Sequence, residues 1–180
     1  MAEGRSTKPA PEGPSLDAGA DPAEQRSWAN WLAVVVLAGA VLTFVCHELL
    51  LTVFVVHGQS MQPTLRHGQR VLVLRPLGEI QRGDLLVFRN PHASDEVLIK
   101  RVLALPGETL AVEAGRLLVD GLHRPEPYVK PGTALLKLAP ERCPPDTYYL
   151  LGDNRAESFD SRKLGPIERR LLLGKVVHRF

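Results

Sequence analysis

A mainly β protein, with an antiparallel β-sheet domain preceded by a single N-terminal transmembrane helix, is the fold that three features of the 180-residue sequence predict. The first is an uncharged apolar run, "WANWLAVVVLAGAVLTFVC", at residues 28–46. The second is a series of short segments rich in Val, Leu, Ile and Tyr between residues 70 and 180, punctuated by Gly, Pro and Asp-Gly breakers. The third is that no long amphipathic helical pattern runs through that half.

The elements follow in order. Residues 1–27 are rich in Ala, Pro, Gly, Ser and Glu, which predicts a disordered tail that buries too little apolar surface to offset the entropy of ordering. Residues 28–50 are assigned to the membrane helix. Twenty residues, 27–46, span about 30 Å as a helix, the thickness of the hydrocarbon layer. Trp28 and Trp31 stand at its start, where indole rings favour the lipid–water boundary. A cleaved secretory leader is the competing reading, with Ala38-Gly39-Ala40 as its small-residue site, but the preceding tail is long and acidic and the apolar run continues past Ala40. The flanking charges, Arg26 and Lys8, do not settle orientation.

Residues 48–56 either prolong the helix or form a first strand. Strands are predicted at 70–74, 84–88, 96–105, 108–114, 116–120, 147–152 and 174–180, with hairpin turns at Ala114-Gly115 and Asp120-Gly121. "PIERRLLLG", residues 166–174, is the one short helical candidate. Residues 51–180 form one domain, large enough for a core of its own.

Composition excludes little. The net charge is +2 with Lys and Arg spread along the chain, and no zinc-finger, RNA-recognition or basic-zipper pattern is present, so no nucleic-acid partner is indicated. Cys46 and Cys143 do not make a disulfide framework. None of the six histidines has zinc-ligand spacing, and the acidic loop after residue 150 lacks the EF-hand spacing, so no metal site is expected.

Three pieces carry possible chemistry. Ser60 lies in "HGQSMQPTL", a polar turn directly after the apolar run. The second glycine of a hydrolase elbow is missing, and His57, three residues away, would face the other side of a strand, so a Ser–His–Asp triad has no local support. Lys100 sits in "VLIKRVLAL". It is either a solvated strand charge or a buried amine whose pKa falls from about 10.4 toward neutrality, able then to take a proton from a serine. "LLGDNRAESFDSR", residues 151–162 with the strand end before it, is either a turn-rich surface loop or a loop tied by Asp153/Arg155 and Asp160/Arg162 that offers a hydroxyl to orient an amine.

Taken together these residues resemble the type I signal peptidase family, the membrane-bound Ser–Lys endopeptidases. "SMQPT" (60–64) resembles its nucleophile box, "RGDLLVF" (82–88) its R-G-D strand, "IKRVLALPGE" (99–108) its lysine box and "GDNRAESFDSR" (152–162) its G-D-N box. The resemblance implies Ser60 as nucleophile and neutral Lys100 as general base and later proton donor. It implies Ser158 as the hydroxyl that orients the lysine, and Asp153, Asp160 and Arg162 as bracing residues. Arg101 and Met61 would be structural neighbours. The Ser60 N–H would donate to the oxyanion, with Gly58 at the position where some members carry a serine whose hydroxyl adds a second donor. Ala104, Glu108 and Glu168 depart from residues common in the family. The smaller β subdomain of long members is expected to be reduced. No metal or organic cofactor is implied.

The resemblance further implies a single-pass plasma-membrane protein with a cytoplasmic tail and an extracytoplasmic catalytic domain, acting on secretory preproteins with small residues at −1 and −3. Oligomeric state is not indicated. Alternatives are the cytosolic self-cleaving Ser–Lys proteins, against which the apolar segment and the 152–162 loop argue. A specialised relative that processes conjugation pilin or acts in the mitochondrial inner membrane is another. The last is an inactive membrane-tethered β-module, against which the retention of both Ser60 and Lys100 argues.

Overall fold

The computed structural model describes residues 22–75, 78–135 and 137–180; most of the predicted disordered tail, residues 1–21, lies outside them. The chain divides into two compact units, Met1–Phe44 and Val45–Phe180. Helix α1 (Pro22–Leu50) begins six residues before the predicted start. Pro22 stands at its first position, where a missing N–H costs no hydrogen bond, and Ala, Glu, Gln and Arg follow as good helix formers. In the first unit the large apolar side chains of the helix, among them Trp28, Trp31, Val36 and Phe44, are exposed. Among the described residues no helix is long and apolar enough to cross a membrane.

The second unit is mainly antiparallel β. The ambiguous segment 48–56 divides: the helix ends at Leu50 and strand β1 (Leu51–Val55) follows at once. Next come β2 (Arg70–Leu74), β3 (Leu85–Asn90), β4 (Ala93–Ala104), β5 (Thr109–Glu113), β6 (Arg116–Val119), β7 (Leu122–Arg124), β8 (Leu138–Arg142), β9 (Thr147–Leu151), β10 (Ile167–Glu168) and β11 (Leu172–Arg179). A seven-stranded sheet runs β1-β2-β11-β3-β4-β9-β10, and a four-stranded sheet β7-β6-β5-β8. Both predicted hairpin turns form, with Ala114-Gly115 and Asp120-Gly121 all at positive φ as a type I′ turn requires.

Four short elements departed from expectation. β7 is three exposed residues, and β8 contains Pro140, which supplies no N–H to a ladder; both lie at the edges of the small sheet, where such strands are tolerated. Helix α2 (Ser161–Leu164) is a single turn in which the Arg162 N–H donates to the Asp160 side chain. Residues 166–174 are not a helix. Ile167, 1% exposed, pairs with Tyr148 in β10, a 3-10 turn covers Arg169–Leu171, and Leu172 already belongs to β11. Burial of Ile167 against β9 outweighs the local helical preference of Glu-Arg-Arg-Leu-Leu.

The core lies under the functional loops. Val56, Met61, Leu65, Val71, Val73 and Val87 form one apolar cluster. Met61 and Leu65, at 2% and 0% exposure, pin the turn after β1 to the sheet, each worth roughly 1.5–3 kcal/mol of burial. Leu103, Leu110, Leu117, Tyr149 and Leu151 join the two sheets. Cys143 is a free, buried thiol in that cluster whose pKa is raised by desolvation.

Candidate active site

β1 and β4 both run toward one point. In sheet order they are separated by three strands, each antiparallel to its neighbour, so they point the same way. A groove of about 450 Å³ lies between them, lined by Val53 to His57 on one side and Val97 to Lys100 on the other, with Ser60 and Met61 at its end. There Lys100 Nζ lies 2.8 Å from Ser60 Oγ, forty residues away in the chain.

The Lys100 side chain is 2% exposed. Its neighbours in the groove are apolar, and its other hydrogen bond goes to the Ile99 carbonyl at 3.0 Å. Burial disfavours the ammonium and lowers its pKa from 10.5 to about 8; the Asp160, Glu96 and Asp153 carboxylates oppose the fall. Two of these three are largely neutralised locally. Asp153 receives a bidentate pair from Arg101, at 2.8 and 2.7 Å, and Asp160 one from Arg162, at 2.7 and 2.7 Å.

The Ser60 turn is held from the other side by the 152–162 loop. Asn154 donates its backbone N–H to the Ser60 carbonyl at 3.0 Å and its Nδ2 to the Gln59 carbonyl at 3.2 Å. Gly152 packs so closely that a Cβ there would sit 2.5 Å from the Ser60 carbonyl oxygen. The loop itself is fixed through Asp160, which accepts the Gly152 N–H at 3.0 Å, and through Arg162, which donates to the carbonyls of Arg155 and Ser158. Thr64, at the far end of the turn, donates to Asp153 at 2.5 Å. The Arg101 guanidinium lies over the Tyr128 ring at 4.0 Å, which holds the fork in place.

Of the two ion pairs read within this loop, Asp160–Arg162 forms. Asp153 instead pairs with Arg101 from β4, and the buried Arg155 pairs with Glu126. The loop is therefore tied outward to the strand that carries the lysine, not inward to itself. Arg101, on the side of β4 opposite Lys100, is the link, so its fork is committed to Asp153 and not to solvent. Ser158, 8% exposed, lies against Gly152, and its Oγ has no hydrogen-bond partner among the described residues. Among the described residues no hydrogen bond joins it to Lys100, whose amine bonds Ser60 Oγ and the Ile99 carbonyl. Gly58 is exposed at φ +81°, a conformation open to glycine at little cost, and its N–H donates to His67 Nδ1 at 3.1 Å. The Ser60 N–H donates to no group among the described residues, which leaves it available to an oxyanion.

Asn154, Gly152, Thr64 and Arg101 are the contributors that reasoning from residue types did not single out as site residues. Their signal was position within the motifs: Asn154 and Gly152 in "GDN", Thr64 at the end of "SMQPT", and Arg101 beside the lysine.

Comparison with known proteins identifies the family of the chain. A family model described as signal peptidase, peptidase S26, matches residues 28–180. Signal peptidase I of Leptolyngbya laminosa is 36% identical over 157 residues, covering 81% of this chain and 74% of the relative. Signal peptidase I of Bacillus caldolyticus is 34% identical over 171 residues, covering 86% and 90%. The crystal structure of a signal peptidase I from Enterococcus faecalis V583 superposes with a TM-score of 0.51 at 25% identity, over 57% of this chain and 100% of that one. With the match running from the apolar segment to the last strand, the chain belongs to the signal peptidase family, peptidase S26, and is a serine endopeptidase of that family.

Proposed function

We propose that this protein is a membrane-bound signal peptidase I that cleaves N-terminal signal peptides from exported preproteins, with Ser60 as nucleophile and neutral Lys100 as general base. The observation that carries this reading is the 2.8 Å contact between Ser60 Oγ and a lysine amine buried at the end of an apolar groove.

The steps follow from the atoms present. The neutral Nζ takes the Oγ proton as Oγ attacks the scissile carbonyl carbon. The free Ser60 N–H donates to the developing oxyanion, a contribution of about 3 kcal/mol for one such donor. The Lys100 ammonium then gives its proton to the leaving amine as the C–N bond breaks. In the second half Nζ takes a proton from water, the resulting hydroxide attacks the acyl carbon, and the proton returns to Oγ. Asp153, Asp160 and Arg162 brace the loop behind Ser60. Ser158, buried and unpaired beside the turn, is placed to hydrogen-bond the amine after a small rotation of its side chain or of the lysine.

The groove suits an extended peptide. The backbone groups of Val102 point toward β3, at 2.9 Å each way, so by alternation those of Ile99 and Val97 point to the groove. Val56 likewise bonds toward the β2 side, leaving the polar groups of Val55 and Val53 on the free edge of β1. A chain laid between these two edges can pair with both, which is strand addition. Small side chains at its cleavage site fit the approach to Ser60 between Val and Ile walls.

For location, the exposed apolar surface of α1 from Trp28 to Phe44 supports residence in a bilayer. Tail, membrane segment and catalytic domain are assigned to 1–27, 28–50 and 51–180, with the last outside the plasma membrane. Tethering raises the effective concentration of preproteins whose apolar segment is itself in lipid.

The test is a preprotein with an Ala-x-Ala site incubated with the full chain in detergent, the product N terminus being read by mass spectrometry. Cleavage after the second Ala by the wild type, and none by Ser60→Ala, is expected. Cleavage by Ser60→Ala at that bond would remove Ser60 from the reaction.

A further inference from the structure

The groove accounts for one side of the nucleophile turn. The same turn also borders a second cavity of about 320 Å³, lined by Gln62, Pro63, Arg66, His67 and Lys130. It adjoins a third, of about 540 Å³, that shares Pro63, Arg66 and His67 and adds Arg179. No Asp or Glu lines either cavity. Beside them, Asp153 is committed to Arg101 and Thr64 and Glu126 to Arg155, and the Phe180 oxygen at the larger cavity accepts from Gln69 Nε2 at 3.1 Å. Arg66 and Lys130 form no ion pair among the described residues, although Lys130 is fixed beside the site by its backbone bond to the Asp153 carbonyl at 2.9 Å. Arg179 is held by a bond to the Thr64 carbonyl at 2.9 Å, which also anchors it to the nucleophile turn.

We infer that this patch is a subsite for acidic side chains on the departing side of the scissile bond, recognising Asp or Glu near the start of the mature protein. The inference rests on the proposed peptidase reading. Both strands that line the groove run toward Ser60, so a peptide entering along them leaves across Gln62 and Pro63. An extended chain advances about 3.3 Å per residue, so positions +2 to +4 pass within about 7–13 Å of the cleaved bond. Arg66, six residues after Ser60 in the same turn, and Lys130, bonded through its N–H to the Asp153 carbonyl, line the cavity along that path. Arg66 and Lys130, without ion-pair partners among the described residues, offer an acidic side chain charge pairing without displacing an existing ion pair. The pairing is exposed, so it acts as a preference of modest size that weakens with salt.

The experiment uses the full chain in detergent and three peptides identical through the cleavage site, with Asp, Ser or Lys at +2 to +4. The wild type is expected to cleave the Asp peptide roughly two- to fivefold more efficiently, by kcat/KM, than the Ser peptide, and the Lys peptide less well than either. The Arg66→Glu/Lys130→Glu double variant is expected to invert the order while cleaving the Ser peptide at the wild-type rate, and 0.5 M salt is expected to flatten both preferences. Equal cleavage of the three peptides by the wild type overturns the subsite and leaves the peptidase reading standing, as does an Asp preference unchanged in the double variant. Cleavage of none of them by the wild type overturns both.

Discussion

Lys100→Met is expected to reduce kcat/KM for a preprotein at least about 10⁴-fold while making the folded protein more stable at neutral pH. Both effects have one origin. Replacing the amine removes the proposed acceptor of the Ser60 proton, and a serine hydroxyl without a base is a poor nucleophile. Yet that amine is held at 2% exposure with its pKa lowered from 10.5 to about 8. An unfolded chain, with the ordinary pKa, binds more protons than the folded one between pH 8 and 10.5, so the lysine costs stability below that window and stability rises through it. The full cost below pH 8 is on the order of 3 kcal/mol. Lys100→Met should therefore raise the unfolding free energy by up to about that amount at pH 7, and the gain should vanish near pH 10.5. Denaturant melts at the two pH values measure it; a variant that is inactive and also less stable at pH 7 would show that Lys100 is held by bonds its burial does not reveal.

Gly152→Ala is expected to cost about 10²-fold in kcat/KM or more, and about 1–3 kcal/mol in stability. The added Cβ would lie 2.2 Å from Ser158 Oγ and 2.5 Å from the Ser60 carbonyl oxygen. A hydroxyl can rotate away, but a backbone carbonyl cannot move without its peptide. That carbonyl is also the acceptor of the Asn154 N–H. Relief of the clash therefore displaces the nucleophile turn, and displacements of about 1 Å at a reacting centre cost rates of this order, while overpacking accounts for the loss of stability. Activity and melting temperature measured on the same preparation separate the two. Wild-type kcat/KM in this variant would mean that the turn and the loop are less tightly coupled than their contacts indicate.

How far the sequence alone led depends on the kind of information each part needed. The β character of residues 51–180 was legible because Val, Leu and Tyr segments between Gly, Pro and Asp-Gly breakers reflect local preference. Asp120-Gly121 and Ala114-Gly115 specified their turns for the same reason. The β7, β8 and β10 strands were not, because three exposed residues, a Pro-containing edge and a two-residue pair with Tyr148 have little local pattern and exist through their neighbours. At the site, Ser60 and Lys100 could be named from motif residues, but pattern left open whether the lysine was buried, since alternation allows either face. Its burial depends on the approach of β1 and the nucleophile turn to β4, a long-range arrangement. Asp160 pairs with Arg162 as the sequence suggests, but the partner of Asp153 is set by a similar long-range arrangement. Asp153 and Arg155 are neighbours in sequence, but the fold gives Asp153 to Arg101 and Arg155 to Glu126.

The central claim is that the reaction needs Lys100 as a neutral amine. The most direct measurement is the pH dependence of kcat/KM for a peptide substrate, which reports groups on the free enzyme. A base that must be unprotonated loses a factor of ten per pH unit below its pKa, so an acid limb of unit slope with a midpoint of about 8 is predicted, unmoved by His57→Ala. A rate that stays flat from pH 5 to 9, or a limb near the histidine range that disappears in His57→Ala, would contradict the assignment of Lys100 as the base.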